Sequence, residues 1–111
     1  MTDKETEQKI NQLQIYEQSV QNILLQKQQF QAQITEFDSA IKELKSTKKA
    51  YRIIGNIMVA SDTEDIKKDI ETRKSAVELR IKTLEKQEEN IKEKTKNLQA
   101  EVMKNIDTKE K

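Results

Sequence analysis

The sequence predicts a mainly α protein: a long antiparallel two-helix coiled coil joined by one short β-hairpin, with the hairpin contributing to an oligomeric β-barrel. Three observations carry this prediction. Apolar residues recur at 3-4 spacing on both sides of the chain's middle, the mark of coiled-coil helices. In the middle, two β-branched runs meet at Gly55-Asn56, a two-residue hairpin turn signal. That glycine is the only one in 111 residues, and there is no proline, so nothing else punctuates the helices. The division expected is a single domain, 1–111, with a first helix over 1–47, a hairpin element over 48–61 and a second helix over 62–111.

The first helix opens with Thr2 and Glu5 at the spacing of a capping box. Taking Leu13 as an a position gives Leu13, Val20, Lys27, Ile34 and Ile41 at a, with Tyr16, Ile23, Phe30, Phe37 and Leu44 at d. Only Lys27 breaks this seam. About 44 residues at helical rise would make a rod of roughly 65 Å. Its opposite face, with Gln18, Gln21, Gln28, Gln29 and Gln31, is polar and largely uncharged. The apolar residues are periodic, so a solvated helix face fits better than a prion-like or activation segment.

The hairpin stretch runs Tyr51-Arg52-Ile53-Ile54-Gly55-Asn56-Ile57-Met58-Val59. Strands alternate faces, yet this one is apolar on both. A lone two-stranded hairpin is marginal in water, and its outer edges tend to recruit other strands. Leaving four or five such side chains wet forgoes about 1.5–3 kcal/mol apiece. Hairpins from several chains closing into a shared sheet or barrel would answer both problems. Tyr51, Ile53, Ile54, Gly55, Ile57, Met58 and Val59 are therefore the expected oligomerisation residues.

The second helix has its N-cap at Ser61 with Glu64, or at Asp62 with Asp65. Ile70, Val77, Leu84, Ile91 and Leu98 then repeat every seven residues, interleaved with Lys74, Ile81, Glu88, Thr95 and Val102. Its flanks are dense in Lys and Glu at helical spacing, as in Glu89 and Glu93 against Lys92 and Lys96. Helices of matched length joined by a tight hairpin must pair antiparallel. Folding back about the Gly55-Asn56 turn or a few residues beyond it brings Leu44 near Ile70, Ile34 near Val77 or Ile81, and Leu13 near Leu98 or Val102. Lys27 and Glu88 then fall within about one layer of each other. Either they pair and help set register, or each snorkels to solvent.

At the end of the arms away from the hairpin, Ile10, Leu13, Ile15 and Tyr16 of the first helix meet Leu98, Val102, Met103 and Ile106 of the second. This exceeds what one seam can bury, since Ile10, Ile15 and Met103 lie off it. Exposed apolar surface on a polar rod marks an interaction site.

Composition narrows the chemistry. Hydrophobic residues make up 33% and charged residues 37%, whereas ordinary globular cores use closer to half apolar residues. The net charge of +1 asks for neither nucleic acid nor an anionic membrane. Without His or Cys there is no imidazole catalysis, thiol nucleophile, disulfide or thiolate metal site. One glycine excludes nucleotide-binding loops, so no cofactor is expected. Ser39-Ala40-Ile41-Lys42 has S-x-x-K spacing but lies mid-helix without that chemistry's other elements. An enzyme is not expected. Nor is there an N-terminal signal-peptide pattern or the ~20-residue apolar run of a membrane span. A cytoplasmic protein is expected. The basic residues Lys45, Lys48, Lys49 and Arg52 beside Tyr51 give some footing to nucleic-acid contact, against which stands the neutral, aromatic-poor composition.

With helix, hairpin and helix in place, the chain resembles the prefoldin family, and within it the β subunits of archaeal prefoldin. Tyr51 to Val59 is similar to the family's Tyr-Lys-x-x-Gly-x-hydrophobic stretch. Leu79-Arg80-Ile81-Lys82-Thr83-Leu84-Glu85-Lys86-Gln87-Glu88-Glu89 is similar to its Arg-x-x-x-(Leu/Ile)-x-(Arg/Lys)-Gln-Glu segment, and Gln26-Lys27-Gln28 to its Gln-Lys-Gln. One hairpin matches β; α-type subunits are longer and carry two. The resemblance implies a hexamer of two α and four β subunits with a double β-barrel platform. It implies an ATP-independent holdase that captures non-native proteins at the coiled-coil tips and passes them to a group II chaperonin. The alternative is a structural or adaptor coiled coil without client binding.

Overall fold

The computed structural model describes residues 4–47 and 49–110; Thr2 of the expected capping box and Lys48 of the basic run lie outside them. Four elements follow one another: α1 (Lys4–Ser46), β1 (Ala50–Ile54), β2 (Ile57–Ser61) and α2 (Thr63–Glu110). The fold class is the one the heptads and the single glycine predict: two long helices and one antiparallel hairpin.

The ends of the helices at the hairpin are built by local polar chemistry. At the close of α1 the hydroxyls of Ser46 and Thr47 both donate to the Glu43 carbonyl, at 3.1 and 2.8 Å. They occupy an acceptor that the helix ladder leaves free at its last turn. At the start of α2 the Asp62 carboxylate accepts the Glu64 N–H at 3.2 Å, and its carbonyl accepts the Ile66 N–H at 3.1 Å. Asp62 is thus the N-cap. Glu64 and Asp65 in the first turn complement the positive end of the helix dipole.

Both seams lie where the heptads put them. All ten a and d positions of α1 are buried or half-buried, and so are all ten seam positions of α2, the polar Lys74, Glu88 and Thr95 included. Thr6, one heptad before Leu13, is buried too.

The chain falls into two compact units, each containing a length of both helices. The first comprises Met1–Lys27 and Thr83–Lys111. Ile23, Leu84 and Val102 are buried in it, and two ion pairs cross from helix to helix: Lys9 to Glu101 at 3.5 Å and Lys27 to Glu88 at 3.5 Å. Glu88 also receives Lys92 at 3.6 Å from its own helix. The second unit, Gln28–Lys82, buries Ile34, Val77 and Ala50. Here Lys74 meets Asp38 at 2.6 Å, with Glu78 further off at 3.9 Å, and the Arg80 guanidinium lies 5.8 Å from the centre of the Phe30 ring. In each unit the pairs run in opposite sequence directions, as antiparallel helices require.

Of the two fates open to Lys27 and Glu88, the structure shows pairing. Both side chains are less than a quarter exposed. A charge that far out of water is costly alone, so each polar seam member is tolerated because the other stands opposite. Lys74 follows the same logic. The hydrogen bond its ammonium donates to the Asp38 carboxylate is the largest influence, and it holds the Lys74 pKa above the ordinary lysine value.

Candidate functional site

Two apolar surfaces stand out, one in each unit. The first is the hairpin. Its five rungs pair Ala50 with Ser61, Tyr51 with Ala60, Arg52 with Val59, Ile53 with Met58 and Ile54 with Ile57. Gly55 and Asn56 are the two loop residues. Gly55 has φ of +60°, and no other described residue has positive φ. A left-handed first loop residue followed by an ordinary second one defines a type II′ turn, whose twist matches that of paired strands. A side chain at Gly55 would meet no neighbouring atom within 4 Å, so the requirement for glycine there is conformational, not steric.

Directly paired residues share a face, so Tyr51, Ile53, Met58 and Ala60 line one side of the ribbon. Ala50, Arg52, Ile54, Ile57, Val59 and Ser61 line the other. Every side chain from Tyr51 to Ala60 is exposed, Ile53 at 71% and Met58 at 65%. The sheet has two strands among the described residues, so each strand keeps one unpaired edge. All the oligomerisation candidates named from sequence, Tyr51, Ile53, Ile54, Gly55, Ile57, Met58 and Val59, are in this ribbon or its turn.

The second surface lies in the first unit. Among the arm-end candidates, Ile10, Leu13, Tyr16, Leu98 and Ile106 are half-buried and Val102 is buried. Ile15 and Met103 stay exposed, at 57% and 58%. The same unit holds a groove of about 500 Å³. Ile10, Leu13 and Val20 line it from α1, and Lys92 and Lys96 from α2, with Glu17 on its rim. Thr95 also lines the groove. It takes a seam position with a side chain much smaller than leucine, and its hydroxyl folds back onto the Ile91 carbonyl at 2.8 Å.

Sequence reasoning missed Val20, Glu17, Lys92 and Lys96 as lining residues. The signal was present in Thr95, a small polar residue in an apolar stripe, which leaves unfilled space against the facing helix. Leu24, Leu25 and Leu79 are exposed as well, and their positions off the seam were legible in the heptads.

Among the described residues, no group of three or more His, Cys, Asp or Glu side chains is placed to hold a metal ion. No helix among them is long and apolar enough to cross a membrane.

One antiparallel helix pair with a single β-hairpin between its arms defines a hairpin-joined coiled-coil subunit. The family model described as "Prefoldin subunit" matches residues 7–109, and the chain belongs to the prefoldin family. It is similar to the prefoldin beta subunit from Thermococcus strain KS-1, solved by crystallography, with 27% identity, a TM-score of 0.86 and 92% of each chain covered. With one hairpin, it is a β-type subunit. No curated protein sequence matches it significantly. Family and fold point to a chaperone subunit, in a family that is not enzymatic.

Proposed function

We propose that this chain is the β-type subunit of an ATP-independent holdase in the cytoplasm. In this reading its hairpin joins those of prefoldin α subunits and further β copies, two α with four β, in a shared β-barrel. The arm tips capture non-native proteins and hold them for a group II chaperonin. Client-binding residues are Ile10, Leu13, Ile15, Tyr16, Leu98, Val102, Met103 and Ile106. Ile15 and Met103 make the contact, while Val102 shapes the surface from within the helix pair. The single observation that carries the reading is that Ile15 and Met103 stay exposed in the same unit as a groove lined by Ile10 and Leu13.

The mechanism is avidity. One arm offers a few apolar side chains, too few for lasting affinity. Several arms on one platform raise the effective concentration of the next contact and together hold a client. No covalent step or nucleotide is needed; release follows when individual weak contacts let go. Mixing this chain with a two-hairpin subunit from the same source should yield one assembly and, without ATP, suppress aggregation of a chemically unfolded protein. Replacing Ile15 and Met103 together by Ser should weaken suppression several-fold while assembly mass and helix content stay as they were. Unchanged suppression by that variant would remove the tips from the mechanism. An assembly without any suppression would leave a structural coiled coil.

A further inference from the structure

The outward face of α1 in the first unit carries no charge. Counting heptads from Leu13 at a, positions b, c and f lie opposite the seam. Between residues 8 and 25 the amides Gln8, Asn11, Gln14, Gln18, Gln21 and Asn22 take six of these eight positions, and Ile15 and Leu25 take the other two. All eight are exposed, Ile15 at 57% and Leu25 at 58%. The charges within this stretch, Lys9 and Glu17, stand at d and e, on the seam and its flank. In the same unit α2 is built differently: its exposed side opposite the seam holds Lys86, Glu89, Glu93 and Lys96, charges of both signs.

Helix stability does not ask for this difference, because Gln, Glu and Lys have nearly equal helix propensity. Exposed helices commonly gain from Glu–Lys pairs four residues apart, and this face has none. In their place Gln18 Nε2 donates to Asn22 Oδ1 at 3.2 Å, the one side-chain hydrogen bond on the face among the described residues. Each other amide keeps its two donor hydrogens and its acceptor oxygen for water or a partner.

We propose that this face of α1 is a client track: a segment of unfolded polypeptide lies extended along it, its apolar side chains on Ile15 and Leu25 and its backbone on the amides. It rests on the holdase role given to the arms above and specifies which part of a client the arm holds. The occupant follows from the chemistry. An unfolded segment differs from a folded one in presenting unpaired peptide N–H and C=O groups together with apolar side chains. An amide side chain pairs with either peptide group, whatever the client sequence. A charged face would select clients by the sign of their charge and lose its hold in salt. Ile15 and Leu25 are ten residues apart, about 15 Å along the helix, which an extended chain covers in about five residues. The α1 face of a second copy fits less well, since two large apolar side chains at that spacing do not make the 3-4 seam of a coiled coil. Through Ile15 the track is continuous with the arm-end surface.

The test uses the full assembly with the two-hairpin subunit. Gln18→Glu with Asn22→Lys exchanges the amide pair for an ion pair in the orientation that favours a helix, and leaves the net charge unchanged. Helix content, melting midpoint and assembly mass should hold. The amount of assembly needed to suppress aggregation of a chemically unfolded protein should rise about threefold, and Leu25→Ser should raise it to a similar degree. Suppression unchanged in both variants would overturn the proposal and leave the tip residues standing. Because the chain has no cysteine, contact can also be read from a solvent-sensitive fluorophore on Gln21→Cys or, on the charged side of α2, on Glu93→Cys. Unfolded protein should shift the emission at position 21 to the blue and leave position 93 unchanged, while the native form of the same protein shifts neither. Equal shifts at both positions, or none at 21, overturn the track. So does a label at 21 that is shielded in the assembly before any client is added, which would give the face to another arm. An assembly of the parent chain that suppresses nothing overturns the holdase reading and the track together.

Discussion

The hairpin and the arm end both hold apolar side chains in water, but on different terms. On the ribbon the exposed side chains are contiguous, mostly β-branched, and present on both faces of a strand pair that also has open edges. At the arm end, Ile15 and Met103 stand singly, in a unit whose groove is lined in part by Lys92 and Lys96. Contiguous surface with unpaired backbone favours a permanent partner, because the strand edge and both faces are satisfied together. Scattered side chains on a polar surface favour contacts that form and break, since each contributes little. Under the proposed function, one chain would separate lasting assembly from reversible capture by how it distributes exposed apolar residues. Contiguity and open strand edges, not total hydrophobicity, make the difference.

Breaking the hairpin half of this contrast should have the largest effect. Met58→Asp or Ile54→Asp puts an unpaired carboxylate on a face that would be buried, at a cost of several kcal/mol per site. Assembly should be lost in sizing experiments while circular dichroism keeps the helical signal. A variant that still elutes as the full assembly would contradict the role given to the ribbon.

The contrast can be sharpened within two adjacent residues at the arm end. Val102 is 8% exposed and Met103 is 58% exposed. Val102→Ala removes two buried methyl groups and should cost about 2 kcal/mol, seen as a lower denaturation midpoint. Met103→Ala should stay within about 0.5 kcal/mol of the parent, yet weaken client capture. Equal midpoints for the two variants would remove the distinction between seam and contact surface.

Gly55→Ala tests the turn alone. The methyl group meets nothing, so the expected loss of about 1–2 kcal/mol comes from a left-handed residue with a Cβ. Assembly should weaken without changing composition, read as a higher dissociation concentration.

The smallest effect concerns the arms. Lys74 is held above the ordinary value of 10.5, first by its hydrogen bond with Asp38. A cation with a raised folded pKa contributes stability that is full below the unfolded value and is lost as pH rises through the folded one. Arm stability should thus fall above about pH 10.5, and Lys74→Met should flatten that decline. An identical alkaline decline in Lys74→Met would assign it to other groups.

Much of this is legible in the sequence. Heptad spacing located both seams because a helix that buries one stripe must repeat it every three to four residues. Gly55-Asn56 marked the turn because only glycine adopts positive φ without strain. Folding two regular helices about that turn brought Lys27 and Glu88 within about one layer of each other, with pairing and snorkelling both open, and the structure shows pairing. Three features were not legible. Ser61 and Asp62 are both good caps, and only the backbone path selects Asp62, whose carboxylate reaches the Glu64 N–H. The cross-helix partners Lys9 with Glu101 and Lys74 with Asp38 were likewise open, because a lysine stem reaches several neighbouring carboxylates and the stagger of the helices picks one.

The arm-end groove was the third. Local spacing is one-dimensional and determines which residues face the partner helix, so the sequence by itself determined the helices, their seams and the hairpin with its surplus of apolar residues. Whether a small side chain such as Thr95 leaves space depends on what stands across from it. Packing between elements is three-dimensional, so only the tertiary structure decided the groove, the ion-pair partners, and that Val102 is covered while its neighbour Met103 is free to touch something else.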